Sequence, residues 1–534
     1  MKIKALSRPE ASISRANVGD HFLHHRSLNP VSHPFHKARE YQRAIQAAKL
    51  DRIFAKPFIA GLGDGHSDGV TCIGMSRTSL VQFVSGSVDG CIKIWDLGRK
   101  TEVGCYEKAH AGVVNGVVML DQSVRYDERE DDSDDEDDGE TKEVVERTRA
   151  AGGVYGKSFL SCGDDGMIRQ WRLTPPSTLS PTIPTSTTLT SSSQTPNYNK
   201  GASMTTDQST QSESSLLNTW RHPSKTGGSF KSLSLHYSNP TQFASASDSS
   251  VDVWSLYRSN PISSHSTDTL WGNGDTVTHI RYNPVERGLL AHCSMDRGVG
   301  LHDTRSATPL RKTILAMRAN CLEWNPMEPM NFVVGSEDYN AYSFDMRRLD
   351  KPTMIHKGHV GAVMSVGWSP TGREFVTGGY DATLRIFGYR SGHARDLYYT
   401  KRMQRVFAVG ISADSKYIVS GSDDTNIRLW RVNASENSGV KTPREENALE
   451  YRAALLKKHS HLPEVSKITK SGKRRGPKFV KKQTRIAQIQ KESRGNKLEN
   501  RIKHSKAGVV KHPNEREDAV AKDMVEQKER CLVI

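Results

Sequence analysis

One spacing recurs seven times along this chain: an Asp stands six residues before an aromatic residue or a His. The seven pairs are Asp89/Trp95, Asp165/Trp171, Asp248/Trp254, Asp296/His302, Asp338/Phe344, Asp381/Phe387 and Asp424/Trp430. Successive Asp residues are 76, 83, 48, 42, 43 and 43 positions apart. The last four intervals match the roughly 40–45 residues of a four-stranded propeller blade. The repeat therefore predicts an all-β protein, a seven-bladed β-propeller.

The first repeat shows what each unit contains. Its fourteen residues, FVSGSVDGCIKIWD at 83–96, have the pattern of two short strands joined by a tight turn at Asp89-Gly90. A Gly-His pair, Gly65-His66, lies upstream, and a Trp-Asp pair ends the repeat. This combination is typical of a WD40 blade.

These blade residues predict a buried chain of polar side chains. We expect Asp89 to accept hydrogen bonds from His66 and from turn amides, and the Trp95 indole to end the chain. A strand Ser, either Ser85 or Ser87, should link the two. Such a network joins neighbouring blades, so we interpret it as structural and not as a hydrolase triad. The structural residues predicted for the ring are His66, Asp89, Trp95, Asp165, Trp171, Asp248, Trp254, Asp296, Asp338, Asp381, Asp424 and Trp430.

The first two intervals are long, which predicts insertions within the ring. Residues 127–146 hold thirteen acidic residues, and the stretch 174–218 is rich in Ser, Thr and Pro with few apolar side chains. Neither composition can bury enough apolar surface to offset the entropy of ordering. We therefore predict that residues 127–150 and 174–218 loop out of a propeller that spans residues 57–433.

The end of the last repeat predicts how the ring closes. Other repeats have a strand after the Trp position, such as TEVGCYE at 101–107, whereas the chain after Trp430 runs into NASENSG, a poor strand. The segment PFIAGL at 57–62 precedes Gly65-His66 as those outer strands precede the next repeat. The N-terminal segment should therefore complete the seventh blade, so that the ring has no exposed edge.

The net charge differs between the ends of the chain and its middle. Residues 1–60 carry eleven Lys and Arg against four Asp and Glu, and residues 441–534 carry 25 against twelve. Because the whole chain has a net charge of +15, the middle carries −5. Basic ends on a mildly acidic body favour a polyanionic partner, most often a nucleic acid.

The basic N-terminal arm, residues 1–56, contains one predicted short helix. Its apolar stripe and the cations around the stripe are Ala38, Tyr41, Ile45 and Ala48 with Arg39, Arg43, Lys49 and Arg52. This spacing is helical. Two interpretations stay open: the stripe packs on the protein's own body, or the arm binds RNA or another partner.

The C-terminal region, residues 434–534, is basic and is predicted to be helical in part and otherwise disordered. A capping box at 442–445, with Pro at the first helical position, predicts a helix that runs to about His461. Beyond it, six cations are close enough together to bind RNA phosphates: Lys473, Arg474, Arg475, Lys478, Lys481 and Lys482. Phe479 is the only aromatic residue among them, so base stacking has little support. A nuclear-import signal and a solvated charge run are the alternatives.

The sequence predicts no catalytic site, no metal site and no cofactor. No HExxH, paired-carboxylate or elbow-serine pattern occurs in a context that would support chemistry. Gly156-Lys157-Ser158 lacks the preceding Gly of a phosphate-binding loop. The seven Cys residues are scattered without zinc spacing, which predicts reduced thiols in an intracellular protein. No apolar run is long enough to cross a membrane.

Longer stretches closely resemble one family, the Sof-type WD-repeat proteins. They are NPVSHPFHKAREYQRAIQAAKLDRIFAKPF before the ring, RMQRVFAVGISADSKYIVSGSDDTNIRLWR at 402–431, and ALEY, HLPEV and NRIKHSKAG in the tail. The resemblance implies a nucleolar scaffold of the small-subunit processome that acts in processing toward 18S rRNA. It implies pre-rRNA, the box C/D small nucleolar ribonucleoprotein and other processome proteins as partners. The two inserts depart from the family pattern and leave this implied role intact.

The resemblance also implies a second role. Animal relatives resemble substrate receptors of a cullin-RING ubiquitin ligase, whose blades carry Asp-x-Arg after the Trp position. Two segments match, Asp303-Thr304-Arg305 and Asp345-Met346-Arg347. Arg305 and Arg347 are therefore candidate contacts for a ligase adaptor. Because Asp-x-Arg also occurs in ordinary blades, the scaffold and the adaptor interpretations both stay open.

Overall fold

The computed structural model describes residues 31, 34–63, 65–120, 158–173, 216–222, 228–267, 276–306, 309–436, 439, 441–471, 476–506 and 515–520. Over these residues the strands form seven antiparallel sheets of four strands each. The first strands of successive blades contact one another in an unbroken ring. The predicted seven-bladed β-propeller is therefore confirmed.

The strands follow the chain from the inner to the outer edge of each blade. Blade 1 contains β2 (Val70–Met75), β3 (Gln82–Ser87), β4 (Ile92–Asp96) and β5 (Thr101–Tyr106); blade 2 contains β6 (Val114–Leu120), β7 (Ser158–Gly163), β8 (Met167–Arg172) and β9 (Leu216–Arg221). Blade 3 contains β10 (Phe230–Leu235), β11 (Gln242–Ser247), β12 (Ser250–Ser255) and β13 (Ser263–Ser266); blade 4 contains β14 (Val277–Tyr282), β15 (Leu289–Ser294), β16 (Gly298–Asp303) and β17 (Pro309–Ile314). Blade 5 contains β18 (Ala319–Trp324), β19 (Asn331–Ser336), β20 (Ala341–Asp345) and β21 (Met354–His356); blade 6 contains β22 (Val363–Trp368), β23 (Glu374–Gly379), β24 (Leu384–Gly388) and β25 (Ala394–Tyr398). Blade 7 contains β26 (Val406–Ile411), β27 (Tyr417–Ser422), β28 (Ile427–Arg431) and β1 (Phe58–Leu62).

The hairpin in blade 1 shows why these sequences form strands. Phe83 pairs with Trp95 across β3 and β4, and both side chains are fully buried. Gly90 holds the turn with a φ of 77°, a backbone conformation that suits Gly. A side chain there would also collide with the His110 carbonyl of the next loop. The turn and the apolar pairs therefore set one register, which keeps the apolar side chains between the blades.

The ring closes as predicted from the N-terminal segment. β1 pairs antiparallel with β28, with Phe58 opposite Trp430 and Leu62 opposite Ile427. Leu62 is 1% exposed and joins the apolar cluster between blades 7 and 1. Residues 365 to 372 positions apart in the chain thus share one sheet, and the outer strand of blade 7 comes from the start of the ring.

Both inserts leave the same edge of blade 2. Leu120, Ser158 and Arg172 lie side by side in register, and Trp171 pairs with Leu216. The acidic insert 127–150 lies outside the described residues, as does most of the second insert. The second boundary needs a correction, because β9 begins at Leu216. Residues 216–218 belong to the outer strand, where they complete the sheet, and not to the insert.

Within the described part of the chain, four helices lie outside the ring: α1 (His36–Ile53), α2 (Pro443–Lys458), α3 (Pro463–Ser471) and α4 (Lys478–His504). The capping box predicted for α2 is present, with Thr442 and Glu445 bonded to each other's backbone. α2 ends at Lys458, three residues before the predicted end, and His459 is its C-cap. α1 packs on α2 and α3 through an apolar cluster of Ala44, Ala48, Leu455 and Val465. We call these three helices the clasp.

The tail beyond the clasp contains a further helix, where the sequence predicts a partly disordered segment. Its residues form α4, a helix of 27 residues. Lys, Arg, Gln and Glu dominate this segment, and all four are good helix formers. Val480 is 4% exposed, and Leu498 and Ile502 are partly buried, so a few apolar contacts fix one side of the helix. Among the described helices, none is long and apolar enough to cross a membrane.

Candidate nucleic-acid and protein interfaces

Blade 2 contains the complete polar network expected from the repeat. His110 Nδ1 lies 3.0 Å from Asp165 Oδ1, and His110 Nε2 lies 2.7 Å from Ser161 Oγ. The Trp171 indole donates to the same hydroxyl at 2.9 Å. His110 and Ser161 are buried, and the polar atoms of the four side chains in this network are hydrogen-bonded to one another. The arrangement fits the predicted structural role, because no group is left to act on a substrate.

In blade 1 the His imidazole and the Trp indole contact a strand Ser as they do in blade 2, but the Asp has different partners. His66 Nε2 lies 2.6 Å from Ser85 Oγ, and the Trp95 indole donates to Ser85 at 2.8 Å. Ser85, and not Ser87, is therefore the linking residue. Asp89 accepts hydrogen bonds from the Ser67 hydroxyl and from the Cys91 amide, not from His66 as we had expected. Burial lowers the pKa of His66 to about 4, so its imidazole is neutral at pH 7.

Three blades use other partners for the repeated Asp. Asp248 accepts from Ser229, Asp338 from the Tyr342 hydroxyl, and Asp424 forms a two-pronged ion pair with Arg428. In blade 6 the ordinary pairing returns, with His359 Nδ1 3.1 Å from Asp381 Oδ1. Burial opposes the charge on Asp381, but His359 lowers the pKa of this carboxyl to about 2. The repeated Asp thus keeps its place while its partner changes.

Blade 4 departs furthest from the repeat. His302 occupies the Trp position, and His292 occupies the position of the linking Ser. Asp296 accepts hydrogen bonds from Ser294 and Lys312. Burial lowers the pKa of His302 to about 4 and that of His292 to about 3. Neither nitrogen of the His302 ring has a hydrogen-bond partner among the described residues.

The six cations predicted to bind RNA are only partly described. Lys473, Arg474 and Arg475 lie outside the described residues. Lys478, Lys481 and Lys482 lie in the first turn and a half of α4, and all three are exposed. Phe479 is 61% exposed beside them. The described half of the cluster therefore belongs to a regular helix, which holds its charges at fixed spacings.

The propeller holds α4 at two points along its outer rim. A Cβ at Gly476 would lie 3.7 Å from Leu397 of β25, so the start of the helix touches blade 6. Further along, Lys491 and Lys357 both bind Glu515, and these hydrogen bonds lower the pKa of Glu515 to about 2. The segment that follows is fixed as well, because Val520 bridges to Leu315 at the end of blade 4. The tail is thus fastened across blades 4 to 6.

Sequence reasoning missed most of the basic surface of α4. The helix carries nine Lys and Arg against two Glu, and six of its cations lie outside the predicted cluster. These six are Arg485, Lys491, Arg494, Lys497, Arg501 and Lys503. They are spread along the sequence and not clustered, so only a helical projection of residues 478–504 places them on one surface. The candidate RNA surface is the whole helix.

The contacts of α1 support the first interpretation of the N-terminal arm, in which its apolar stripe packs on the protein's own body. Glu40, 2% exposed, accepts from Lys458 at 2.6 Å and lies 3.3 Å from His459 Nε2. Tyr41 donates to Glu464 at 2.7 Å. Three of the four stripe residues, Tyr41, Ile45 and Ala48, therefore pack against α2 and α3, whereas Ala38 is exposed. Arg39, Arg43, Lys49 and Arg52 are exposed, and Arg43 donates to the Tyr451 hydroxyl of α2.

Arg305 and Arg347 lie on one face of the ring, in adjacent blades. Each follows the third strand of its blade and forms a two-pronged ion pair with the Asp two residues before it, at 3.1 and 2.8 Å. Their side chains are 76% and 68% exposed. Val285 and Met327, 60% and 67% exposed, lie in the first loops of the same blades and therefore at the same edge. The two arginines thus lie at the same edge as exposed apolar residues.

The charge of the ring is less negative than the overall count suggests. Residues 127–146 alone have a net charge of −11, so the rest of residues 61–440 carries +6. The acidic insert, and not the blades, supplies the negative charge of the middle. Among the described residues, no group of three or more His, Cys, Asp or Glu is placed to hold a metal ion.

Comparison with known proteins agrees with the fold and the tail. The Sof1-like domain matches residues 432–520, and the WD domain, G-beta repeat, matches residues 60–96, 350–388 and 398–431. "DDB1- and CUL4-associated factor 13" of Danio rerio is 38% identical over 522 residues, which cover 98% of this chain and 99% of the relative. The Homo sapiens protein of that name is 37% identical over 510 residues, 96% of this chain and 97% of the relative.

A yeast relative is similar over nearly the same span. "Protein SOF1" of Saccharomyces cerevisiae is 37% identical over 491 residues, which cover 92% of this chain and 88% of the relative. The matches include the propeller, the clasp and α4, and so extend well beyond the repeats that many propellers share. This chain belongs to the Sof1-like family of WD-repeat proteins.

Proposed function

We propose that this protein is a non-catalytic scaffold of the small-subunit processome, required for pre-rRNA processing toward 18S rRNA. The observation that carries the proposal is α4, a basic helix in the Sof1-like region that is fastened to the rim of the propeller. The helix holds cations at fixed positions, and the ring offers two faces and a rim for protein contacts. A scaffold needs this combination of an RNA contact and a rigid body.

The absence of catalysis is part of the proposal. The buried Asp, His and Ser residues of the blades bind one another, and the repeat accounts for their positions. Such groups cannot reach a substrate without loss of the packing between blades. A purified chain that hydrolysed nucleotides or cleaved RNA without partners would contradict this part of the proposal.

The RNA contact lies in the tail, and the partners are pre-rRNA and the box C/D small nucleolar ribonucleoprotein, with the nucleolus as the place of action. The six cations from Lys473 to Lys482 begin this contact. If about five of them neutralise phosphates, each contributes close to 0.7 to the slope of log affinity against log salt for single-stranded RNA. Replacement of all six by Ala should flatten that slope by about three units and weaken nucleolar retention.

The test is a co-purification of the tagged full-length chain from cells. We expect pre-18S rRNA and box C/D RNA to be enriched with the parent chain and depleted with the six-residue variant. The matched control replaces four exposed cations of α1 and the following linker, Arg39, Lys49, Arg52 and Lys56, by Gln. An unchanged RNA yield from the six-residue variant would show that the cluster is an import signal, and loss from the control would place the contact on the arm.

A second function is favoured by the paired arginines. Arg305 and Arg347 point outward from adjacent blades, each with an Asp partner that holds the guanidinium in place. The relatives named for association with DDB1 and CUL4 suggest that this pair binds a cullin-RING ligase adaptor. Replacement of both by Ala should reduce co-purification of DDB1 and leave the yield of pre-18S rRNA unchanged. An unchanged yield of DDB1 would remove Arg305 and Arg347 from this role.

A further inference from the structure

We propose that α4 binds double-stranded RNA, lying across the wide, shallow minor groove of an A-form helix with cations on both of its flanks. This inference rests on the proposed RNA-binding function of the tail and specifies its ligand. It depends on how the cations are arranged around α4, on what lies between them, and on the attachment of the helix to the ring.

The packed side of α4 sets the reference direction. Val480 is buried, and Leu498, five turns further along, is partly buried on the same side. Lys491 lies near this side and binds Glu515. With about 100° of rotation per residue, the outward side of the helix is fixed over its whole length of about 40 Å. A partner therefore meets one continuous helix with a defined outward side.

Six of the nine cations of α4 form two groups on opposite flanks of this helix, and Lys503 lies on the first flank at the C-terminal end. Lys478, Lys481 and Arg485 lie on one flank in the N-terminal half, and Arg494, Lys497 and Arg501 lie on the other flank in the C-terminal half. All six are exposed. The two groups are roughly 160° apart around the axis and about 24 Å apart along it. A helix that crosses a groove obliquely meets one phosphate backbone at each end, and this diagonal pattern suits that geometry.

The outward surface of α4 between the two flanks, which we call the ridge, carries little charge. Apart from Lys482 it consists of Ile486, Ile489, Ser493, Asn496 and Asn500, with Ile486 and Ile489 38% and 56% exposed. These side chains are short or medium in length, and the two Asn residues can bond to 2′-hydroxyls. The minor groove of A-form RNA is wide and shallow, and it displays those hydroxyls. A neutral ridge with cationic flanks is therefore complementary to it.

A single strand fits this surface less well. Binding of unpaired RNA draws on aromatic side chains that stack on bases. The only aromatic residue in α4 is Phe479, at its first turn. A row of bases along α4 would find aliphatic and amide groups beyond that point. The arrangement thus favours phosphates held at fixed spacing, which a duplex provides and a single strand does not.

The charge of the helix favours RNA over a protein groove. Nine Lys and Arg against two Glu give α4 a net charge of +7. A protein groove would bury Ile486 and Ile489 but would need acidic residues on two sides to match the flanks. The phosphate backbones of a duplex supply these charges on both sides of one groove.

The test measures binding of the full-length chain to three probes: a labelled 20-base-pair RNA duplex, one of its strands alone, and a DNA duplex of the same sequence. We expect the RNA duplex to bind at least tenfold more tightly than the strand or the DNA. Lys481→Gln/Arg485→Gln on one flank and Lys497→Gln/Arg501→Gln on the other should each lower the salt slope by nearly two units. The matched control is Lys49→Gln/Arg52→Gln on α1, which removes the same charge and should change nothing.

The outcomes separate this proposal from the function on which it rests. Equal or tighter binding of the single strand through the same four cations would overturn the duplex proposal and leave RNA binding by the tail intact. No binding of any RNA would overturn both. RNA binding that survives both flank variants but fails in the control would place the RNA on α1. Circular dichroism would show whether each variant retains its helices, so a loss of fold would not be mistaken for a loss of contact.

Discussion

At the scale of single residues, the blades tolerate many partners for one repeated Asp. In blade 7 the partner is Arg428, whose side chain is 6% exposed, against 11% for Asp424. Both charges are largely removed from water, and each depends on the other. Removal of one partner would leave the other charge buried and unpaired. The free-energy cost of that change exceeds the net contribution of the intact ion pair to stability.

The first prediction follows from this pair. Asp424→Ala should lower the free energy of unfolding by about 1–3 kcal/mol, because Arg428 loses its partner within the blade. Asp248→Ala is the control, since the Asp248 side chain is 40% exposed and accepts from Ser229, and it should cost less. Urea unfolding of both variants measures the difference. Equal unfolding midpoints for the parent and the Asp424 variant would contradict the assignment.

The second prediction concerns His302 at the Trp position of blade 4. Its pKa of about 4 lies below that of an unfolded His, so the unfolded chain takes up the proton first. Stability is then fully present above about pH 6.5 and falls as the pH drops toward 4, by up to about 1.4 kcal/mol per pH unit. His302→Phe should raise stability and flatten this dependence, since Phe fills the corresponding place in blades 5 and 6. Urea unfolding at pH 7 and pH 5 tests it, and a parallel loss in both proteins would count against it.

At the scale of secondary-structure elements, the sequence repeat predicts the blade strands and the place of β1. The β1 closure was predictable because a missing strand at one end of the repeats matched a spare strand at the other. The helix α4 was not, because Val480, Leu498 and Ile502 are too sparse to show a core in the sequence. The contacts of the N-terminal arm could not be predicted for a similar reason. The apolar stripe on α1 is weak, and its packing partners on α2 and α3 are about 400 residues away in the sequence.

The third prediction concerns the closure of the ring. Deletion of residues 1–62 removes α1 and β1, so it exposes the edge of β28 and the apolar residues of the clasp. We expect a drop of the thermal midpoint and aggregation, since an open sheet edge pairs with other chains. Deletion of residues 1–30 is the control and should leave the midpoint unchanged. A fully stable chain without β1 would show that blade 7 holds with three strands.

At the scale of the whole molecule, the two candidate interfaces lie at opposite edges of the blades. Arg305 and Arg347 follow third strands, whereas the tail touches residues that follow outer strands, Leu315 and Lys357. In an antiparallel blade, those two ends point in opposite directions. A protein partner at the Arg305 and Arg347 edge therefore need not displace RNA from the tail, which is attached at the ends of the outer strands. This separation suits a scaffold that joins two kinds of partner.

The last prediction concerns the acidic insert, which acts on the molecule through its charge. Deletion of residues 127–146 removes a net charge of −11 and raises the net charge of the chain from +15 to +26. The thermal midpoint should stay unchanged, because β6 and β7 pair with each other without any residue of that segment. Affinity for RNA should rise at low salt and match the parent at high salt, since the long-range field is screened there. Anisotropy titrations at 50 and 300 mM salt measure both effects. A lower thermal midpoint, or an equal gain in affinity at both salt concentrations, would contradict a purely electrostatic role.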